Sequence, residues 1–381
     1  MFQQILEAFR DLIVGFLPAS WCPKVKERDF AFLCHPLDAA DAARKYPFTR
    51  GISERLFQLW THHFWPIMGA KILGSKKIDG TDCQGWAIVT PFTPAAMVLD
   101  PEAGRKMIVR GVKLCEKLGF KLVALGGYNS IITRDGADLI GKVNLSVTTG
   151  NSYSALLVIQ NFQKVTKELG IEPKGLKVAI VGAAGSVGWA VSHVMASMVG
   201  DLWLMDLNKK GLNELIAEIE TQGQKVKTFD DLLEVKDMDV VITATSTPRA
   251  IIQENHLRKG IIFIDAAQPK NVSEDIAKSR EDVLVIDSGI ARVPNLSCDM
   301  QMGPYANEAY ACLGEAMVLA CHSRVCNFSI GKVDPAKVRE LSGLLDPIGF
   351  RVADFRNAAG YFPEKRILEF KEKYLRRAAK N

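Results

Sequence analysis

The sequence predicts an α/β chain of two domains, one a doubly wound parallel sheet and the other a second α/β domain, with helices at the C-terminal end. Three observations carry this. At 381 residues the chain exceeds the size at which one hydrophobic core usually stops growing, so two cores are expected. From Lys177 onward apolar strands alternate with helical segments, the pattern of parallel strands joined by helical crossovers. Between the first of those strands and its helix, LKVAIVGAAGSVGWAV spaces Gly182, Gly185 and Gly188 as G-x-x-G-x-x-G, the turn by which such a sheet brings its backbone close to a ligand.

The chain opens on MFQQILEAFRDLIVGFL, whose Phe2, Ile5, Leu6, Phe9, Leu12, Ile13, Phe16 and Leu17 form one apolar helical stripe. Glu7, Arg10 and Asp11 interrupt it, unlike a secretory leader. Residues 1–27 therefore read as an amphipathic extension of a cytoplasmic protein. Its stripe is open to three partners: a membrane interface, another subunit, or the protein's own body.

Residues 28–150 read as a substrate domain, with strands in FAFLC, WAIVTPF and LVALGGY and a helix over 104–118. An amphipathic helix follows over 151–170, with Leu156, Leu157, Ile159, Val165 and Leu169 inward and Gly170 as its stop. The dinucleotide domain spans 151–300, with strands near 177–181, 201–206, 225–228, 239–243, 261–264 and 283–286. Residues 301–381 then form helices, near 304–323, 335–345 and 364–379, expected to pack on the substrate domain.

Composition removes several function classes. Apolar residues make up 48% and charged residues 24%, ordinary for a globular protein. The net charge of +5 is spread without a long run of one sign, which gives nucleic-acid binding no support. The one basic cluster, Lys371, Lys373, Arg376, Arg377 and Lys380, sits on the last helix. Eight cysteines fall in no C-x-x-C pair and suit a reducing compartment. Cys321, His322 and Cys326 come nearest to a metal cluster, but helix packing is their expected role, and no metal is expected.

In the glycine turn, Gly182 permits the sharp bend, Gly185 the approach of a pyrophosphate, and Gly188 close packing of helix on strand. Ala183, Ala184, Ser186 and Val187 complete the loop, and the N–H groups of the following helix face the phosphates. Asp206, 24 residues beyond Gly182, stands where an acid hydrogen-bonds ribose hydroxyls and favours NADH over NADPH. Thr243, Ala244 and Thr245 end another strand with small side chains that admit a flat ring. A Rossmann-type site for NAD(P)H follows. For the chemistry, Cys312 in GPYANEAYACLGEAM lies in a small-residue helix and is either a nucleophile or a buried packing residue; read as mid-helix, its thiol gains nothing from the helix dipole. Thr148, Thr149 and Asn151 of TTGN could orient a carbonyl or cap the helix.

Taken together, ALGGYNSII (124–132), TTGN, VGAAGSVG (181–188), ACLGEAM (311–317) and NFSIGK (327–332) resemble the long-chain fatty acyl-[acyl carrier protein] reductases of cyanobacteria. The resemblance covers about residues 30–335. It implies NADPH-dependent reduction of an acyl thioester, carried by acyl carrier protein or coenzyme A, to a fatty aldehyde. It also implies that Cys312 is the acylated residue, with backbone or polar donors, those of TTGN among the candidates, on the oxyanion. Asp206 and Leu207 depart from the small and basic residues the family has there, which makes NADH plausible. Beyond the thioester partner, peripheral membrane contact and a homo-oligomer are open. Two further readings stand beside this one: a dehydrogenase that transfers hydride directly to a non-thioester substrate, and a dinucleotide-binding protein without turnover.

Overall fold

The computed structural model describes residues 13–15, 17, 25–45, 50–247, 249–298 and 305–375. The chain divides into two compact units. Among the described residues, the first takes its parts from Met1–Gly150, Val293–Gly331 and Gly343–Arg351, and the second from Asn151–Arg292, Lys332–Ser342 and Val352–Asn381.

The first unit is built on strands β1 (Phe30–Cys34), β2 (Ile67–Lys76), β3 (Asp82–Val89), β4 (Leu122–Leu125) and β5 (Ser146–Thr148). They lie in the order β2-β3-β1-β4-β5, with the two-residue strand Ser297–Cys298 outside β2. Strands β3, β1, β4 and β5 are parallel, while β2 runs antiparallel to β3. The helix Pro101–Leu118 carries the chain from β3 to β4. Asp100 caps it by accepting from the Ala103 N–H, Pro101 occupies its first turn, and Gly119 ends it at φ 92°. Its apolar stripe, Ile108, Val112, Leu114, Cys115 and Leu118, packs into one core with Leu33, Ile88, Val123, Leu125 and Val147. A second helix, Ala311–Cys321, lies across β1 and β4.

Of the N-terminal extension, residues 1–12, 16 and 18–24 lie outside the described residues. Where it is described, Val14 enters the first unit's core and its carbonyl accepts from Lys117 Nζ at 3.1 Å. Of the stripe itself, Leu17 packs partly buried against that core while Ile13 is exposed.

The second unit is a six-stranded parallel sheet of β6 (Lys177–Val181), β7 (Asp201–Met205), β8 (Lys227–Thr228), β9 (Val240–Thr243), β10 (Ile262–Asp265) and β11 (Leu284–Asp287). The spatial order is β8-β7-β6-β9-β10-β11, that is 3-2-1-4-5-6 by succession, the doubly wound Rossmann order. Strand order reverses between β6 and β9, where Val181 lies opposite Thr243. Such sheets take ligands at this switch point, outside the carboxyl ends of the strands.

The C-terminal segment departs from expectation. Residues 332–342 and the described part of 352–381 belong to the second unit. The contacts give the reason: Lys332 Nζ sits 3.7 Å from the Trp189 ring centroid and pairs with Glu214 at 2.9 Å, and Asn357 donates to the Ala277 carbonyl. The last expected helix is Arg366–Phe370 continued by a π-helical turn over Lys371–Leu375; residues 376–381 lie outside the described residues.

Phe263 is fully buried in β10, within the second unit's core. Phe263→Ala should cost about 3–5 kcal/mol, read as a lowered urea midpoint followed by the fluorescence of Trp189 and Trp203. A midpoint unchanged within error would contradict this packing.

Candidate functional site

The glycine turn is a backbone construction. Gly182 holds φ +89°, and a Cβ there would meet the Ala244 carbonyl carbon at 2.8 Å. At Gly188 a Cβ would stand 2.0 Å from the Gly182 oxygen, so helix Ser186–Met198 packs on the turn as closely as backbone allows. Gly185 differs: the nearest protein atom to its Cβ position is 3.3 Å away. A Cβ there would be tight against the Gly182 oxygen but not blocked, unlike at Gly182 or Gly188. Ala183 and Ala184 are buried behind the turn, while Gly185, Ser186 and Val187 are half-exposed. No side chain caps this helix, so its first N–H groups are available to an anion. The residues fit a pyrophosphate.

Asp206 follows β7 with both carboxylate oxygens engaged, Oδ2 accepting from the Ala184 N–H at 2.9 Å and Oδ1 from Asn208 N–H at 2.8 Å. It therefore shapes the cradle as well as edging it. Lys209 is ion-paired with Asp230, and Leu207 is 91% exposed.

Across the switch point, Thr243 is fully buried and its hydroxyl donates to Asp265 at 2.8 Å. Thr245 donates to Asn271 Oδ1 at 2.8 Å. Both hydroxyls are spent on the protein, so neither is a free cofactor donor, and Ala244 is left to form the floor beside Gly182. Asp265, also fully buried, additionally accepts from the N–H groups of Ala267, Asn271 and Val272. This carboxylate organises the loop after β10. The sequence places IDAAQP (264–269) at the carboxyl edge of its strand, where such folds bind ligands, but gives Asp265 no role of its own. Asn151 belongs to this unit too: its amide donates to Ser186 Oγ at 3.0 Å.

In the first unit, Cys312 is the second residue of helix Ala311–Cys321, not a mid-helix position. Glu308–Tyr310 is a short strand and Tyr310 is extended, which delays the helix start past the expected residue 304. The other ten residues of the helix are buried, and Cys312 alone is half-exposed. Burial pushes its thiol up to about 11, against the N–H groups of Gly127, Leu313 and Cys312 itself, which favour the thiolate. Cys34, at the end of β1, is pushed further, to about 12, first by burial and then by the neighbouring Cys298 and Cys312. Of the two thiols, burial raises that of Cys312 less.

Around it the spaced motifs converge. Gly150 holds φ +81°, and a Cβ there would meet Cys312 Cα at 2.2 Å. Thr148 donates to Glu315, a fully buried carboxylate that also accepts from the Gly150 N–H at 3.1 Å. Thr149 donates to the Ser329 carbonyl at 2.6 Å, and Val147 N–H bonds Asn327 Oδ1 at 2.8 Å. The threonine protons are thus committed to holding the site together, which removes Thr148 and Thr149 as oxyanion donors. The donors left facing the sulfur are backbone.

His35 was not singled out by sequence reasoning. Its Nε2 accepts from the Tyr128 N–H at 2.9 Å, and its Nδ1 lies 3.1 Å from the Pro36 oxygen, to which it donates. An imidazole making both bonds is neutral, and burial lowers its pKa accordingly. It braces the Gly127 turn, φ +57°, that aims an N–H at Cys312. Among the described residues no group of His, Cys, Asp or Glu is placed to hold a metal, and no helix is long and apolar enough to cross a membrane.

The Shikimate / quinate 5-dehydrogenase family model matches residues 163–288. The chain is 27% identical over 91% of its length to the aminotransferase PigE of Serratia sp., of which it spans 42%. It is 28% identical over 71% of its length to the long-chain acyl-[acyl-carrier-protein] reductase of Synechococcus elongatus, spanning 83% of that protein. Among solved structures, L-tryptophan dehydrogenase from Nostoc punctiforme is 13% identical with a TM-score of 0.39, over 93% of this chain and 90% of that one. The chain carries an NAD(P)-binding Rossmann fold of the dehydrogenase/reductase type. Its cradle sets a test: Gly185→Ala should keep the melting temperature and lose dinucleotide affinity by tenfold or more (~1.4 kcal/mol), whereas Gly188→Ala should lower the melting temperature as well. Equal affinity for NADH in Gly185→Ala, measured by fluorescence titration, would remove Gly185 from the site.

Proposed function

We propose that this chain reduces a long-chain acyl thioester to an aldehyde through an acyl-enzyme on Cys312, using a reduced nicotinamide dinucleotide. One observation carries the reading. In a helix otherwise sealed from solvent, the single half-open residue is a cysteine at the N-terminal turn, with backbone N–H groups directed at its sulfur.

The chemistry of that arrangement is acyl transfer. The Cys312 sulfur attacks the thioester carbonyl carbon and forms a new C–S bond. The bond to the donor's sulfur breaks, and the proton from Cys312 ends on the departing thiol. Negative charge on the carbonyl oxygen falls among the Gly127 and Leu313 N–H groups, which are fixed before substrate arrives and so reorganise little. A bound reduced nicotinamide supplies the hydride that takes the acyl group to the aldehyde level. Cleavage of the carbon bond to Cys312 then frees the aldehyde, and a proton taken up from solvent restores the thiol. The relative named for acyl-[acyl-carrier-protein] reduction supports the substrate class.

Direct hydride transfer to a non-thioester substrate is the second reading, favoured by the family match to 163–288, a span without Cys312. Intact-protein mass spectrometry separates the two. Wild-type chain mixed with hexadecanoyl thioester should gain one acyl group at Cys312 and lose it when NADH or NADPH is added. Cys312→Ser should show neither discharge nor aldehyde; full turnover in that variant would sink the covalent route.

The raised thiol makes a second expectation. A pKa of about 11 means Cys312 is protonated at neutral pH, so its alkylation by iodoacetamide should climb about tenfold per pH unit from pH 7 toward that value. A rate already flat above pH 8 would show a thiolate at neutral pH. For cofactor choice, we assign Asp206 the role of disfavouring a 2′-phosphate. Asp206→Asn, which keeps an acceptor for the Ala184 N–H, should raise affinity for NADPH relative to NADH by about tenfold; an unchanged ratio overturns that assignment.

A further inference from the structure

The outer face of helix Pro101–Leu118 is cationic. Lys106, Arg110 and Lys113 follow one another at helical i, i+4, i+7 spacing and are exposed. With Arg105, and with Lys142 from the segment after β4, they line a groove of about 310 Å³. The acids beside them are engaged: Glu102 pairs with Arg105 at 3.3 Å and Lys106 at 3.7 Å, and Asp138 pairs with Arg134. Arg110, Lys113 and Lys142 make no ion pair among the described residues.

Uncovered aliphatic side chains flank this charge. Val98 and Leu99 end the helix Pro94–Leu99, just ahead of the Asp100 cap, and are 58% and 78% exposed. Ile131, on the helix Tyr128–Ile132, and Ile140, next to Leu139 of the groove, are 38% and 47% exposed. Both short helices pack against Pro101–Leu118. Single exposed aliphatics are ordinary, whereas a group of them around unpaired cations marks an interaction site. The N-terminal extension reaches the other end of the same helix, where Lys117 Nζ donates to the Val14 and Gly15 carbonyls at 3.1 and 3.5 Å and Ile13 stays exposed.

We infer that this face docks on an anionic lipid bilayer, its cations meeting the phosphate head groups and Val98, Leu99, Ile131 and Ile140 entering the boundary of the acyl chains. Cations alone would suit any polyanion, and aliphatics alone any apolar patch. Anionic head groups over hydrocarbon ask for both side by side. A soluble nucleotide has no use for the aliphatic rim, and no aromatic ring lines the groove to stack a base. A second copy of the chain, docked face to face, would bring the same unpaired cations together. The inference uses no residue in contact with Cys312 and stands apart from the acyl-enzyme reading.

The test measures how much of the full chain co-sediments with phosphatidylcholine vesicles, with and without phosphatidylglycerol, at low and high salt. Wild type should bind the anionic vesicles about tenfold or more tightly than the neutral ones, and salt should weaken that binding. Arg110→Glu combined with Lys113→Glu should lower the affinity for anionic vesicles by about tenfold or more. Leu99→Asp combined with Ile140→Asp should lower it by about tenfold and leave its salt dependence near that of wild type. Wild-type melting temperature and NADH affinity separate these losses from misfolding, and if the aspartates fail to fold, Leu99→Ser with Ile140→Ser serves instead. Loss with the charge reversals alone overturns the inference in favour of a site for soluble polyanions, and loss with the aliphatic pair alone in favour of an uncharged contact. Wild-type binding that neither pair weakens is carried by another surface and overturns it too. So does binding indifferent to phosphatidylglycerol, or no binding at all.

Discussion

The arrangement around Cys312 depends on one buried carboxylate. Glu315 is fully buried, and it accepts from the Thr148 hydroxyl and the Gly150 N–H. An unpartnered carboxylate in such a place would be expensive, and partners on its own helix would fix nothing beyond that helix. These two donors lie at and just past the end of β5, 167 and 165 residues earlier in the chain. The bond therefore ties the start of the buried helix to the sheet edge, and Cys312, three residues before Glu315, inherits that position. The charge also has a local consequence, because it adds to burial in raising the Cys312 thiol.

Backbone-to-backbone contact at glycine does comparable work in each unit by different geometry. In the first, Gly150 at positive φ lets the β5 turn lie against Cys312 Cα. In the second, Gly188 lets a helix rest on the Gly182 carbonyl. Neither contact has chemistry of its own. Each removes the side chain that would otherwise hold two elements apart, and so brings N–H groups within reach of a reacting or anionic atom.

What was legible in the sequence follows from range. Local signals were clear: the glycine turn with its flanking strand and helix, the 151–169 helix with its Gly170 stop, and the parallel strands from Lys177 on all depend on neighbours a few residues away. The helix carrying Cys312 was misjudged at its start because it is buried all round, and a helix without a polar face has no apolar phase from which to read a boundary. His35 and Glu315 escaped because the partners that tie them to the site, Tyr128 for His35 and Thr148 and Gly150 for Glu315, stand 93 or more residues off. Thr148, Thr149, Thr243 and Thr245 were identified as site positions, but a hydroxyl's sequence context does not say where its proton goes. In each case it goes to the protein, which turns an expected donor into a brace. The C-terminal segment divided between the units for a similar reason, since Lys332 finds Trp189 and Glu214 only after folding.

The thiol poses an apparent conflict, since a nucleophile at a helix N-terminus would be expected below the usual thiol range, yet this one is held at about 11. Desolvation wins in the free protein because it acts on the whole charge, while the N–H groups supply only partial ones. An acyl donor changes that balance. In transfer from a thioester, one thiol proton is exchanged for another and no net charge is left behind, so the free thiol's pKa overstates the barrier. The developing charge also moves onto the carbonyl oxygen, where the same N–H groups serve it. On the proposed acyl-enzyme route, a site that penalises a resting thiolate while solvating a transient oxyanion would keep Cys312 protected from alkylation and oxidation between turnovers, its reactivity released by the acyl donor.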